Sequence, residues 1–153
     1  GHTRLAILDI EGGRQPMSDA GGHIKIVFNG EIYNHAELRR ELEKIGLIFQ
    51  SDHSDTEVLV NGYLHWGADL FPRLNGMFAF ALYDRRKGEM ILVRDRFGEK
   101  PLYYSKHAHR LVFASEINAL LQHPALDTEI DMLSVQKYFS YGFIPSPRTP
   151  YKK

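Results

Sequence analysis

The run Met77-Phe78-Ala79-Phe80-Ala81-Leu82-Tyr83, bounded by Gly76 and Asp84, constrains the fold more than any other part of this chain. Successive side chains of a strand point to opposite faces, so a strand apolar at every position has to be covered on both sides. Here small alanines stand opposite phenylalanines. Arg85-Arg86-Lys87-Gly88 then reads as a hairpin turn into a second strand over 89–94.

The remaining pattern builds layers around that hairpin. Strands are predicted over 4–10, 23–28, 48–50, 102–105 and 111–114, with a Gly-, Pro-, Ser- and Asp-rich loop over 11–22. A helix is predicted over 34–45, with Leu38, Leu42 and Ile45 on one face and Gly46 as its stop. Another runs over 55–66, its stripe Val58, Leu59, Gly62, Tyr63 and Trp66 facing inward, and ends at Gly67. Short helices are read over 69–74 and 115–122, and a last one over 131–141 ending at Gly142. Residues 95–101 form a tight loop around Gly98. Strands that arrive mostly as hairpins, with helices between and after them, indicate an α+β fold with antiparallel sheet layers.

Composition removes several function classes. Nineteen basic residues balance nineteen acidic ones, so no net field draws nucleic acid or anionic lipid non-specifically. No apolar run is long enough to cross a bilayer and no signal peptide is legible, so the expectation is a cytoplasmic protein with no nucleic-acid or membrane partner. These 153 residues hold no cysteine, which excludes disulfides, thiolate metal sites and a Cys nucleophile within them. The eight histidines show no zinc-type spacing, and no metal site is expected.

The segment Asn29-Gly30-Glu31-Ile32-Tyr33-Asn34 carries the first chemical signal. It reads as a sharp turn between a strand ending at Phe28 and a helix starting at Asn34, whose spacing to Glu37 is that of a capping box. Asn29 offers a side-chain amide donor, and Gly30 a backbone N–H with no Cβ in the way. Two donors aimed at one point can hold an oxyanion, although Asn-Gly alone is an ordinary turn. Ser54 and Glu57 make a second capping box and place Asp55 at a helix start.

Taken together, Gly1-His2-Thr3-Arg4-Leu5, the 29–34 segment, Ser54-Asp55-Thr56-Glu57-Val58, the 76–84 strand and Arg94-Asp95-Arg96-Phe97-Gly98-Glu99-Lys100-Pro101-Leu102-Tyr103-Tyr104 form one set. In that order they closely resemble the glutaminase domain of glutamine-hydrolysing asparagine synthetase, a class II glutamine amidotransferase of the N-terminal-nucleophile type. The resemblance runs from Gly1 to about Pro147. It implies a four-layer αββα sandwich with antiparallel sheets. It also implies a reaction in which an N-terminal Cys, with its own α-amino group as base, attacks the glutamine side-chain amide and frees ammonia through a thioester. The ammonia would pass to an ATP- and Mg-dependent synthetase domain that activates aspartate, leaving no cofactor for this domain.

On the same resemblance, Asn29 and Gly30 form the oxyanion hole and Arg4 holds the substrate α-carboxylate. Asp55 pairs with the α-ammonium, Glu31 also faces it, and Ile7 and Leu8 line the pocket with their backbone. Arg94, Asp95, Gly98 and Lys100 read as a charged turn bracing the pocket. Tyr33, Tyr83, Tyr103 and Tyr104 read as core and rim.

The family's nucleophilic Cys stands ahead of the Gly-His-x-Arg-Leu motif, at which this sequence opens. The expectation is therefore a partial amidotransferase domain over 1–143, missing its first strand or strands. Residues 144–153 would begin a linker to the synthetase domain. Such a polypeptide alone should hydrolyse no glutamine, and its bared sheet surface should favour a homodimer or larger species. Two other readings stay open: a non-catalytic glutamine-binding or interaction module, and an amidotransferase with another acceptor, such as a sugar or cell-wall precursor.

Overall fold

A computed structural model describes residues 15–107, 109–124 and 126–152. The strand expected over 4–10, and with it Arg4, Ile7 and Leu8, lies outside the described residues. The chain divides into two compact units, one ending at Pro101 and one starting at Leu102.

The first unit contains β1 (Met17–Ser18), β2 (Ile24–Ile32), α1 (His35–Lys44), α2 (Asp55–Trp66), a 3-10 helix (Gly67–Arg73), β3 (Gly76–Asp84) and β4 (Glu89–Arg94). Its four strands form one antiparallel sheet in the order β1-β2-β3-β4. As the apolar run demands, β3 is buried on both faces: Phe78, Phe80 and Leu82 on one and Ala79 and Ala81 on the other. Phe78, Phe80 and Leu82 share a core with Leu38 and Leu42 of α1 and Val58, Leu59 and Tyr63 of α2. Ile45 does not join them; it follows the end of α1 and is half exposed.

β2 departs from its expected boundary. It does not stop at Phe28, and Asn29 and Gly30 are not a turn: they pair with Ala79 and Phe78 inside the ladder, which runs on to Ile32 opposite Gly76. The reason is a close approach of two backbones. Gly30 has φ +136°, and a Cβ there would stand 2.0 Å from the Met77 carbonyl oxygen. Across the ladder, a Cβ on Gly76 would stand 2.1 Å from the Glu31 carbonyl oxygen. Only a pair of glycines lets the strands stay together here.

The turn falls instead at Tyr33-Asn34, and the capping box expected there does not form. Asn34 precedes α1 with φ −94° and ψ 20°, outside the extended conformation in which a capping side chain folds back on its helix. Its amide is used elsewhere: Nδ2 donates to the Arg73 carbonyl at 2.9 Å and Oδ1 accepts from Asn75 N–H at 3.0 Å. Residues 48–50 form no strand, because Gln50 N–H is directed to the Glu57 carboxylate rather than to a ladder.

The second unit contains a hairpin of β5 (Tyr103–His107) and β6 (Arg110–Ala114), then α3 (Ile117–Leu120) and α4 (Met132–Tyr141). α3 is shorter than the 115–122 expected, and Ser115 does not cap it; Glu116 holds the cap position without a side-chain bond. Asp131 caps α4 by accepting from Leu133 N–H, and Gly142 ends it with φ +77°. The proline-containing tail is tied back to the start of α4. Ile130 bridges Tyr151, Asp131 N–H donates to the Pro150 carbonyl, and Arg148 pairs with Asp131 at 3.0 Å. Among the described residues, no helix is long and apolar enough to cross a membrane.

Candidate active site

α2 delivers the first charged group. Ser54 has the extended φ −71°, ψ 119° of a capping residue, and its Oγ accepts from Glu57 N–H. That is half of the expected capping box. In the other half the Glu57 carboxylate passes over Ser54 N–H and accepts from Gln50 N–H at 2.7 Å, Ser51 N–H at 2.8 Å and Ser51 Oγ–H. Asp55 follows as the first helical residue, 3% exposed, and its Oδ2 accepts Ile32 N–H at 3.3 Å. One hydrogen bond thus joins two sequence segments that lie 23 residues apart.

The edge of β2 that Asp55 reaches is defined by Asp95 from the far side of β3. Phe78 donates its N–H to Asp95 Oδ2 at 3.2 Å and accepts Asp95 N–H on its carbonyl at 2.8 Å. Both backbone groups of Phe78 therefore face β4, so Gly30 and Phe78 are a non-hydrogen-bonded pair. Gly30 consequently directs its own N–H toward the opposite edge of β2. On that edge Phe28 N–H donates to Gln15 Oε1 at 2.6 Å, and Ile32 N–H to Asp55. Gly30 sits between them. Asn29, exposed, and Glu31, half exposed, occupy the alternate positions of the strand.

Asp95 is 6% exposed and committed to the main chain, accepting from the N–H groups of Phe78, Phe97, Glu99 and Lys100. Burial opposes its charge, but the backbone donors outweigh burial and hold the carboxyl below its ordinary value. A carboxylate has about four acceptor positions, so Asp95 has none left for a substrate. Arg94 closes the turn through the Lys100 and Gly98 carbonyls, and Arg96 reaches the Pro72 and Leu74 carbonyls. Gly98, at φ +66°, leaves room for the Arg94 guanidinium, which would stand 2.9 Å from a Cβ there. Among the described residues no cluster of His, Cys, Asp and Glu could hold a metal ion.

Residues 1–153 match the family described as "Glutamine amidotransferase domain". This chain belongs to that family.

Among curated relatives, the amidotransferase domain is 45% identical over 152 residues to asparagine synthetase [glutamine-hydrolyzing] 3 of Bacillus subtilis, covering 98% of the chain and 24% of that protein. It is 44% identical to asparagine synthetase [glutamine-hydrolyzing] 1 of the same organism, covering 97% of the chain and 23% of that protein. The domain therefore spans about a quarter of the length of these relatives. Among solved structures, glutamine phosphoribosylpyrophosphate amidotransferase from B. subtilis, complexed with ADP and GMP, superposes with a TM-score of 0.59. It is 32% identical over 69% of this chain and 25% of that one. The mixed fold with antiparallel sheets is accordingly that of the N-terminal-nucleophile hydrolases.

Of the residues that sequence reading placed in the pocket, the amidotransferase fold brings Asn29, Gly30, Glu31 and Asp55 to one end of β2. Arg4, Ile7 and Leu8 lie outside the described residues. The reading missed Gln15, which grips Phe28, and the pairing of Asn34 with Arg73 and Asn75. Neither has a local signal, since both partners are distant in sequence. The turn from Asp95 to Gly98 was readable, as an aspartate three residues before a glycine is a turn former, but the bond from Asp95 to Phe78 was not.

Proposed function

We propose that the domain binds L-glutamine and supplies its side-chain nitrogen as ammonia for ATP-dependent synthesis of asparagine from aspartate within a longer protein. The observation that carries this reading is the junction of Asp55 with the Asn29-Gly30-Glu31 strand, in a chain matching asparagine synthetases along almost its whole length. Free glutamine presents an α-ammonium, an α-carboxylate and a neutral amide. Asp55 is proposed to take the ammonium with Glu31 nearby, and Arg4 to take the carboxylate through a two-pronged hydrogen bond. Ile7 and Leu8 would line the pocket with their backbone.

The carbonyl oxygen of the amide would lie toward Asn29 Nδ2 and Gly30 N–H, where negative charge develops as a thiolate adds to the carbon. The nucleophile gives its proton to an amine base, the C–N bond breaks and ammonia leaves with a proton. Water then cleaves the thioester to glutamate. These 153 residues hold no cysteine, so the polypeptide by itself is expected to release no ammonia above the buffer rate. ATP and Mg belong to the synthetase domain in this reading, and the protein works in the cytoplasm.

The test uses the full-length protein. With glutamine, aspartate and ATP it should form asparagine and glutamate. Asp55→Asn should raise the KM for glutamine by on the order of tenfold or more while ammonium salts still support synthesis. Unchanged glutamine kinetics would remove Asp55 from the pocket. One observation favours a second reading, a different nitrogen acceptor: an amidotransferase named for phosphoribosylpyrophosphate shares the fold at 32% identity. Glutamate release without asparagine formation would select that reading.

A further inference from the structure

Glu57 lies outside the roles assigned above, yet its carboxylate organises the whole approach to Asp55. It accepts Gln50 N–H, Ser51 N–H and Ser51 Oγ–H. Ser51 Oγ in turn accepts Ser54 N–H, and Ser54 Oγ accepts Glu57 N–H. The result is a closed ring through Glu57, Ser51 and Ser54 that folds residues 50–54 against the first turn of α2. A second tether comes from α1, where Arg39 Nη1 donates to the Asp52 carbonyl at 2.6 Å and the guanidinium lies 4.4 Å from the Phe49 ring centre. Glu57 and Ser51 are half-buried, whereas Ser54 and Asp55 are 1% and 3% exposed.

Helix capping alone does not need this ring. Ser54 already satisfies the Glu57 N–H, and an ordinary capping box would return Glu57 to Ser54 N–H. Here the carboxylate is diverted to Gln50 and Ser51, leaving Ser54 N–H to Ser51 Oγ. What the ring fixes is where the chain enters α2, and so where the next residue, Asp55, meets Ile32 N–H on β2. We infer that Glu57 is a positioning residue for the substrate ammonium site: through Ser51 and Ser54 it sets the Asp55 carboxylate against the Asn29-Gly30-Glu31 strand. The inference rests on the reading of Asp55 as the partner of the α-ammonium.

The substitution that tests it is Glu57→Gln in the full-length protein, with glutamate release as the readout. The shape is kept, but one carboxylate oxygen becomes an NH2 that faces the backbone N–H of Gln50 or of Ser51, so at least one hydrogen bond holding residues 50–51 to α2 is lost. The KM for glutamine should rise on the order of tenfold, with kcat within about twofold. Ser51→Ala should shift KM the same way by a smaller factor, and it decides the matter if Glu57→Gln does not fold. A purely structural role would lower the melting temperature and leave KM alone. Asp55→Asn runs alongside. If it raises KM while Glu57→Gln and Ser51→Ala leave KM within twofold, the positioning role is overturned and the substrate reading stands. If Asp55→Asn also leaves KM unchanged, the ammonium site itself is overturned and the inference falls with it.

Discussion

The two compact units differ in how they use their aromatic and large apolar residues. Between residues 15 and 101 most of these side chains build an interior, with Phe97 and Ile48 left outside it: Phe80 is 2% exposed, Leu82 and Leu59 are fully buried, and Tyr63 and Phe71 stack over the same core. Between residues 102 and 152 only Leu120 and Ser134 are buried among the described residues, while Phe139 is 82% exposed. The second unit is instead held in shape by polar links, with Asp131 accepting from Leu133, Ser134 and Arg148 and the tail bridged to Ile130. The described residues of the candidate site, Asn29, Gly30, Glu31 and Asp55, belong to the unit with the deep core. Its donors lie on β2, whose neighbour β3 is buried on both faces, so the geometry of Asn29 and Gly30 inherits the rigidity of that packing.

The comparison breaks first at Phe80. It packs against Phe71 and Phe78 at ring-centre distances near 6 Å and lies in the central strand. Phe80→Ala should cost about 4 kcal/mol of unfolding free energy, measured by denaturant titration. A loss below about 1 kcal/mol would mean that the first unit does not depend on its own core.

Acid should sharpen the same contrast by a smaller amount. Asp84 is fully buried and accepts from the Arg86 guanidinium and N–H. The Arg86 hydrogen bond, with burial opposing it, holds the carboxyl at about 2. In the unfolded chain an aspartate titrates at about 3.9, so between these values the unfolded state takes up a proton that the folded state refuses. The stabilisation is complete above about pH 5 and is lost progressively as pH falls through about 2. Asp95 shifts in the same direction. In Asp84→Asn the slope of stability against pH below about 4 should flatten, and an unchanged slope would show that this pair is not coupled to folding.

Legibility follows the range of the cause. β3, the hairpin into β4, the limits of α2 and the stop at Gly142 all have local causes, in apolar periodicity, a capping serine or a left-handed glycine, and the sequence displays them. The continuation of β2 through Asn29-Gly30 does not, because it needs Gly76 on another strand to admit the Glu31 carbonyl. Asn34 looked like a helix cap because its three-residue spacing to Glu37 is the local signal, while its real partners Arg73 and Asn75 are remote. The candidate site divides in the same way. Its residue types were readable from motifs in order, but the junction of Asp55 with Ile32 depends on how α2 packs on the sheet. The ring through Glu57 was visible only as the capping-box half of itself.

The smallest effect is expected on α4. A phenylalanine that is 82% exposed leaves water with little of its surface on folding, and its contact with Tyr138 is an edge-on ring pair at 5.8 Å on the same helix. Tyr138 is itself half exposed, so that pair buries little area. Serine and phenylalanine have about the same helix propensity, so the substitution leaves the backbone preference of α4 unchanged. Phe139→Ser should therefore change unfolding free energy by no more than about 0.5 kcal/mol, measured by the same denaturant titration. A loss above about 1.5 kcal/mol would mean that Phe139 is covered in the folded protein. The second unit would then have an apolar interior of its own, and the division of labour between a packed unit and a polar-tied one would no longer hold.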